Sequence, residues 1–582
     1  MGCLPGSPAK HWSRSAKEAE RAALRRLSIF VGVFGLEAAR AVAAGDGMGG
    51  ERVEDAVVGL VEKSLVAVDS TGSATRYRLL DTTRAYALGK LADSGDAGQV
   101  AQFHAAHFCD FLVRVNAGAS PLSRAEASAA YGDQVGNVRA ALEWCFGEGG
   151  DTEAGTALAA AAPLLLRLSL LTECRRWTER AVAGLGEASR GTRREMGLQA
   201  SLGQSLMFTT GNSEQVRAAF ERGLAIAEET GCLEHQVQIL GWLHIFHKRG
   251  GDYRTAFAYA QQCEAVAGRL GDPAAIAVAR CCLGICCQLA GRNDDAREHL
   301  TAALAPPRAQ HRSTPIGLGF GQWNRARTAL ARTLWLRGCA DQAVEAASRS
   351  ADEAARFELP VPLCIALIWA ASVFLWTGDC ASAEERIDAV VEHAERHSLA
   401  PYQAAGLGLK GELAIRHGRA GEGIGALRGA LGSLHQDRCD LLTPPFTSAI
   451  AEGLASTGLL DGALATIDGA IQRAERGGDL LAMPEMLRIR GDVLARMPGA
   501  DPRDAEAVLV RSLELAGSQG ALAWELRAAT SLARLRSRWG RAQDAERVLA
   551  RVYGRFAEGF GTADLRAAKR LLWELGRPAM AG

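Results

Sequence analysis

Hydrophobic residues recur at helical spacing over most of this chain. Val216, Phe220 and Leu224 fall four positions apart, and charged or small residues fill most of the positions between them. A spacing of three or four residues places side chains on one face of an α-helix, so the pattern predicts amphipathic helices that bury one side. Alanine, leucine, arginine and glutamate dominate the composition, which favours the same conformation. We expect helix over more than about 65% of the residues.

Glycine recurs about every forty residues over the last two thirds of the chain. Glycine in the left-handed conformation commonly ends a helix, and a small residue five positions later lets the next helix approach closely. Each interval therefore predicts a hairpin of two helices, with a return turn marked by Gly or Pro half a period later. One interval is longer, and we expect a loop around Pro306, Pro307 and Gly317 to Gly321. The nine glycines are Gly211, Gly251, Gly291, Gly338, Gly378, Gly418, Gly458, Gly499 and Gly540.

Parts of these hairpins resemble the tetratricopeptide repeat. Leu202-Gly203 and Leu283-Gly284 match the Leu-Gly pair of its first helix, and Val216-x3-Phe220 echoes its second helix. The period is about 40 residues rather than about 34, so we class the units as tetratricopeptide-like. The resemblance implies an all-α fold, an α-solenoid whose inner groove suits a partner protein, a peptide or a small-molecule inducer.

A different pattern precedes the repeats. Helical segments at 18–30 and 51–63 are followed by extended runs at 65–68 and 76–80, and then by a helix that we expect Asp81 to cap. Helix, helix, hairpin and helix is the outline of a small winged-helix domain. We expect strand only within residues 64–80.

The domain organisation follows from these patterns. We expect the superhelix of repeats to run from about residue 155 onward. In the C-terminal segment, Leu565, Leu571 and Leu572 are predicted to cover the last hairpin. The predicted segments are a disordered N-terminus (1–17), a winged-helix domain (18–98), a helical connector (99–190), tetratricopeptide-like repeats (191–560), and a C-terminal cap and tail (561–582).

The chain also resembles a known family over roughly residues 20–575. The segments that carry the resemblance are RRLSIFVGVFGLEAARAVAAGDG, VVGLVEKSLV, RYRLLDTTRAYALGKL, GNVRAALEW at 136–144, CRRWTERAV at 174–182, and the closing segment 519–572. They are similar to the part of bacterial STAND-type regulatory ATPases, large transcriptional regulators, that follows the nucleotide-binding module. The resemblance implies a chain that receives a signal for a transcriptional response.

One motif of that family is missing from the sequence. No GxxxxGK[ST] occurs in it, so the resemblance transfers no phosphate-binding or catalytic residue. We therefore expect no cofactor, and we expect a separate P-loop ATPase module among the partners. On this interpretation the chain is the sensing half of a larger system.

Charge argues against a general polyanion binder. The 66 Lys and Arg residues equal the 66 Asp and Glu residues. The presumed recognition helix, 51–63, carries a net charge of −2, which disfavours direct contact with nucleic acid. Basic residues at the start of the domain keep a DNA-binding regulator as the alternative. They are Lys10, Arg14, Lys17, Arg21, Arg25 and Arg26.

Several motifs resemble binding or metal sites, yet each has a simpler structural interpretation. The GxGxxG matches at 45–50 and 406–411 lack the preceding strand of a dinucleotide site and are interpreted as loop or close-packing glycines. The CCxxxCC cluster of Cys281, Cys282, Cys286 and Cys287 lies on one helix, so the four thiols cannot surround one zinc ion unaided. The pairs His104 with His107 and His393 with His397 do not have the HExxH spacing of zinc proteases.

These observations predict no catalytic, cofactor-binding or metal-binding residue, and they leave the binding residues unassigned. An enzyme is the remaining alternative. The apolar run 157–171 is broken by Arg167, so no membrane-spanning helix is expected. Without a secretory signal, a cytoplasmic location is expected, where the 14 cysteines remain thiols.

Overall fold

A computed structural model describes most of the chain and divides it into two compact units, Met1–Ser205 and Leu206–Gly582. Helices hold 79% of the described residues, which confirms the predicted helical class. The predicted disordered segment 1–17, except Lys17, and residues 306–318 of the predicted long loop lie outside the described residues. Residues 319–321, which were also expected in that loop, are instead the first residues of a helix. The described ranges are 17–45, 48–69, 75–117, 131–161, 170–305, 319–357, 359–440, 442–499 and 501–576.

The first unit begins with a winged helix. Its sheet is antiparallel in the order β1-β3-β2, with Val33 opposite Arg78 and Val66 opposite Leu79. The elements are α1 (Glu18–Leu27), β1 (Val33–Phe34), α2 (Leu36–Ala43), α3 (Gly50–Glu62), β2 (Val66–Asp69), β3 (Arg76–Leu79) and α4 (Asp81–Ser94).

Two details of this domain differ from the sequence prediction. Strand was expected only within 64–80, but β1 lies outside that range, because two residues are too few to produce an alternating pattern. Asp81 was expected to cap α4, but Leu80 holds the cap position and Asp81 is the first helical residue. Its carboxylate is still well placed there, since the helix dipole favours negative charge in the first turn.

The helices after the winged helix belong to the same core. Buried apolar residues form one cluster from Ala23 to Leu198. Asn137 joins the two parts, since its amide donates to Val33 O at 3.1 Å and its oxygen accepts from Val31 N at 2.7 Å. The expected start of the superhelix near residue 155 is therefore too early. These helices are α5 (Ala97–Ala117), α6 (Val135–Cys145), α7 (Thr152–Ala160), α8 (Leu171–Ala183) and α9 (Arg193–Thr209), with α9 containing the unit boundary.

The second unit is an array of helical hairpins. Consecutive first helices pack on one another and form an inner layer. The first helices are α11 (Leu233–Arg249), α13 (Pro273–Leu289), α15 (Gly319–Leu336), α17 (Pro360–Thr377), α19 (Ala400–Arg416), α21 (Thr443–Ser456), α23 (Met483–Leu494) and α25 (Leu522–Arg538). The second helices are α10 (Glu214–Glu229), α12 (Tyr253–Leu270), α14 (Asn293–Leu304), α16 (Ala340–Phe357), α18 (Cys380–Arg396), α20 (Ala420–Gln436), α22 (Leu460–Gly477), α24 (Pro502–Ser518) and α26 (Ala542–Tyr553), and α27 (Ala563–Leu575) follows them.

The forty-residue glycine pattern is confirmed by the backbone. All nine glycines have φ between 75° and 87° and lie in the turn between the two helices of a hairpin. Gly478 holds a return turn at φ 86°, while the equivalent positions of the two preceding hairpins hold Ser398 and Arg438 at φ 54° and 51°. Non-glycine residues at these two turns explain why the glycine signal is weaker there than in the hairpin turns.

The array winds tightly enough for its later hairpins to contact its earlier ones. Leu289 O accepts hydrogen bonds from the backbone of Leu480 and Leu481, about 190 residues later, and Arg249 O accepts from Asp440 N at 2.7 Å. One superhelical turn therefore takes roughly five hairpins.

This winding closes part of the inner groove that the repeat pattern predicted. The inner helices are deeply buried, and every residue of α13 from Cys281 to Leu289 is buried. The rings of Trp335 on α15 and Trp524 on α25 lie 4.8 Å apart, so opposite sides of the inner layer touch. Curvature of a repeat array cannot be read from one repeat, which is why the sequence did not predict this closure.

The longest apolar helix is α17. It is longer than the apolar run 157–171 and, unlike that run, carries no charged side chain. It is long and apolar enough to cross a bilayer, yet 67% of its 18 residues are buried within the array. Burial of this kind is typical of the core helix of a folded protein.

Candidate ligand site within the helical array

The glycine-rich motifs serve packing and turns. Gly406, Gly408 and Gly411 lie inside α19, where a Cβ on Gly408 would come within 2.2 Å of the Phe446 ring. Gly45 pairs with Met48 in an isolated bridge, and its carbonyl accepts from Arg26 Nη1 at 3.2 Å. Residues 46 and 47 lie outside the described part of the chain. The close-packing interpretation of the second motif is confirmed.

The four clustered cysteines are buried core residues of α13, as predicted. Burial raises the pKa of Cys281 to about 12, so this thiol stays protonated and is a poor nucleophile or metal ligand. Within the described ranges, no group of three or more His, Cys, Asp or Glu side chains is placed to hold a metal ion.

The two histidine pairs differ in burial. His104 is 1% exposed and packs against the rings of Phe30 and Phe108. Its burial lowers the pKa to about 3, so the ring is neutral at physiological pH. His393 and His397 stack with ring centroids 4.5 Å apart on the outer helix α18 and its C-terminal cap.

The exposed face of α3 is acidic. Glu51, Asp55 and Glu62 are exposed, whereas Arg52 is the exposed cation of that helix. Of the basic residues at the start of the domain, Arg26 is buried and donates to Ala43 O at 3.0 Å. Lys10 and Arg14 lie outside the described residues. Part of the positive charge at the start of the domain is therefore buried and hydrogen-bonded inside the fold.

A buried ion-pair cluster occupies the inner layer at α23 and α25. Glu485 accepts from Arg488 at 2.8 Å and from Arg527 at 3.0 Å. Burial alone would raise the pKa of Glu485, but the two guanidinium groups lower it to about 2. Arg488 also pairs with Asp492, and Arg527 with Asp564. Because each cation has an acidic partner, this cluster is a neutralised structural network.

A second group of charges, the cationic cluster, lies on α11 and α15. It consists of Lys248, Arg325 and Arg332. Arg332 is 6% exposed, stacks 3.8 Å from the Trp369 ring centroid, and donates to Gln288 Oε1 at 2.6 Å. Burial lowers the pKa of Arg332 to about 10 and that of Lys248 to about 7, where Arg325 and Arg332 add like-charge repulsion.

Few carboxylates lie near the cationic cluster to offset its positive charge. Asp479 is the carboxylate that acts on Arg332, but burial raises its own pKa to about 6. Among the described residues, no carboxylate oxygen lies within 4.0 Å of the three cations. The site was not predicted, because Lys248 and Arg332 are distant in sequence and meet only through superhelical packing. Arg325 and Arg332, two helical turns apart on α15, were its only sequence signal.

Comparison with known proteins identifies the first domain. Residues 17–92 match a family described as a winged helix-turn-helix domain. Over 231 residues, 38% of this chain, the sequence is 33% identical to proteins of Mycobacterium bovis and Mycobacterium tuberculosis that are assigned by name to the HTH-type transcriptional regulators. The chain spans about a quarter of the length of these relatives, with 25% covered. An 82-residue stretch is 43% identical to an uncharacterized protein of Mycobacterium tuberculosis, covering 14% of this chain and 21% of that one.

Solved structures share the helical-repeat character. A Rap protein complexed with competence and sporulation factor is 14% identical with a TM-score of 0.46, over 66% of this chain and 99% of that one. A STAND protein with a tetratricopeptide repeat sensor from Pyrococcus horikoshii is 11% identical with a TM-score of 0.27, over 98% and 68%. At these scores neither likeness supports a statement about function.

Proposed function

We propose that this chain is a signal-sensing component of a transcriptional regulatory system. In this proposal the helical array binds a partner protein, a peptide or a small-molecule inducer, and the winged helix passes the signal on through protein contact. The winged helix-turn-helix match and the similarity to transcriptional regulators support the regulatory context. The chain acts by binding rather than catalysis, in the cytoplasm, and a P-loop ATPase module is a candidate partner.

The acidic face of α3 carries the proposal. Glu51, Asp55 and Glu62 would approach DNA phosphates if α3 entered the major groove, and like charges there repel. Val58 lies on the same surface and is 55% exposed. An apolar side chain ringed by carboxylates suits a protein surface better than a phosphate backbone.

DNA titration tests the proposal. We expect the native chain to leave the fluorescence anisotropy of a labelled mixed-sequence duplex unchanged at low salt. The triple variant Glu51→Lys, Asp55→Lys and Glu62→Lys should gain binding that weakens as salt increases, because it reverses the charge of the exposed face. The matched control reverses three exposed charges of the array, Glu229→Lys, Glu384→Lys and Glu395→Lys, and should gain less.

The opposite result would favour the alternative function. Tight, salt-dependent binding by the native chain, weakened rather than strengthened by the triple variant, would identify a DNA-binding regulator that uses α3.

A further inference from the structure

Two helices of this protein, α3 and α27, expose charged faces of opposite sign. Each helix is held in place by apolar residues on its other side, since α3 buries Val53, Val57 and Leu60 and α27 buries Leu565 and Ala568. Both charged faces therefore belong to helices that are fixed in a folded core and need no rearrangement to meet a partner.

The basic face of α27 consists of Arg566, Lys569, Arg570 and Trp573. These residues are three or four positions apart, so they lie on one side of the helix. All four are exposed, and Trp573 is 60% exposed. Among the residues that the structure describes, no carboxylate oxygen lies within 4.0 Å of the three cations. Arginine and exposed aromatic side chains together are typical of a protein-binding surface.

The acidic face of α3 has the same spacing with the opposite charge. Glu51, Asp55 and Val58 follow one another at separations of four and three positions, and Glu62 continues the face. The three carboxylates have no cationic nitrogen within 4.0 Å in the described part of the chain. On α27 the two arginines and the tryptophan are also separated by four and three positions.

Equal spacing allows the two faces to pair along their length. If the helices lie side by side in parallel, Asp55 is opposite Arg570 and Val58 is opposite Trp573. Opposite charges placed in this way set the register of two surfaces, and the apolar pair removes exposed hydrophobic area from water.

A protein carrying the acidic face fits α27 better than a nucleic acid does. Glu574 is exposed next to Trp573 and would repel a phosphate backbone. The α3 helix is mixed in the complementary sense, because Arg52 is exposed among its carboxylates. Both faces belong to the same chain, so every copy of the protein supplies a partner for another copy.

We propose that the basic face of α27 binds the acidic face of α3 in a second copy of this chain. This inference rests on the proposed function, in which α3 is a protein-contact surface, and it names the partner of that surface. Because the two faces differ, the contact is head-to-tail and can continue beyond two copies. Exposed ion pairs each contribute little and the faces are small, so we expect weak association in the micromolar range.

Sedimentation velocity of the full chain at increasing concentration tests this proposal. At low salt the average mass of the native chain should increase with concentration, and added salt should reverse the increase. Reversing the basic face should weaken association about tenfold or more, because like charges then face each other. The α27 reversal is Arg566→Glu, Lys569→Glu and Arg570→Glu.

Combining reversals distinguishes a specific contact from an effect of net charge. A chain with both the α27 reversal and Glu51→Lys, Asp55→Lys and Glu62→Lys has the native net charge of zero and should recover association. The matched control combines the α27 reversal with three exposed positions of the array and should stay monomeric at the same net charge. Those positions are Glu229→Lys, Glu384→Lys and Glu395→Lys.

A single exchanged pair provides a milder version of the same test. Arg570→Asp should weaken association, and adding Asp55→Arg to that chain should restore it. Recovery on adding a second substitution cannot result from loss of folding.

The outcomes separate this proposal from the proposed function. A native chain that stays monomeric at low salt, or exchanged pairs that fail to recover association, would overturn the contact between copies. Duplex binding that the α27 reversal abolishes would assign the basic face to a nucleic acid and would also overturn it. The proposed function is tested separately, since it fails if the native chain binds the duplex through α3, whatever the sedimentation result.

Discussion

Single residues in the first unit show how burial sets protonation. His104 lies between Phe30 and Phe108, and its Nε2 has no partner among the described residues. In the unfolded chain a histidine has a pKa near 6.5, whereas burial lowers the folded pKa of His104 to about 3. The unfolded state therefore binds a proton below about pH 6.5 that the folded state excludes. The stability that His104 contributes is present above that pH and is lost as the pH falls toward 3.

This linkage predicts a pH-dependent loss of stability. At pH 5 the free energy of unfolding of the first unit should be about 2 kcal/mol lower than at pH 7 because of His104 alone. His104→Phe should remove that difference between the two pH values, even if the substitution lowers the free energy of unfolding equally at both. Denaturant midpoints of the full chain at the two pH values measure it, and His417→Gln, at an exposed position, is the control. An unchanged pH dependence in His104→Phe would show that the ring is protonated in the folded state.

At the scale of helices and turns, local signals predicted local structure well. The hairpins follow from glycine spacing, since each of the nine glycines adopts the left-handed conformation that the pattern requires. The strand β1 was missed, because Val33 and Phe34 gain their extended conformation from pairing with β3. Pro401 marked the return turn at Ser398, as expected, whereas no glycine or proline marked the turn at Arg438, which has φ 51°.

The hairpin turns divide into two groups by their surroundings. A Cβ on Gly378 would come within 2.5 Å of Ala563 Cβ in the following superhelical turn, whereas a Cβ on Gly458 would meet nothing within 4 Å. Both glycines have φ 83°. The two positions therefore separate the cost of backbone conformation from the cost of contact between superhelical turns.

Alanine at these two turns should be destabilising to different degrees. Gly458→Ala should lower the free energy of unfolding by about 1 to 2 kcal/mol through backbone strain. Gly378→Ala should cost at least about 1 kcal/mol more, because it adds steric overlap with α27. Denaturant midpoints measured by circular dichroism compare the variants. Equal losses would indicate that the contact between Gly378 and Ala563 does not exist in solution.

At the scale of the whole array, contacts between superhelical turns determine features that the sequence pattern does not predict. Residues that meet across turns are separated by about 150 to 230 residues, as Arg249 and Asp440 are. The rotation between neighbouring hairpins accumulates over five of them, so a small change in each would move these partners apart. The cationic cluster depends instead on packing between nearby hairpins, since Lys248 lies on α11 and Arg332 on α15, and the two residues carried no joint signal in the sequence.

The end of the array illustrates the same principle. Leu565 and Ala568 of α27 are buried against the last hairpin, and Leu571 and Leu572 pack on the same cluster, as predicted for these leucines. Asp564 pairs with Arg527 at 2.7 Å, and Ala563 lies against Gly378 of the earlier turn. The helix α27 thus covers the final hairpin and also joins two superhelical turns, of which the sequence predicted only the first role.

Removing α27 should therefore destabilise more than the last hairpin. Deletion of residues 562–582 exposes Leu526 and Leu549, which share a cluster with Leu565, and leaves Arg527 without Asp564. We expect a lower melting temperature and aggregation on heating, because exposed apolar ends of repeat arrays associate. Leu565→Ala tests the same contact within the full chain and should cost about 2 to 5 kcal/mol. Deletion of residues 577–582 alone is the matched control and should leave the melting temperature unchanged. If the longer deletion melts like the native chain, α27 does not cap the array.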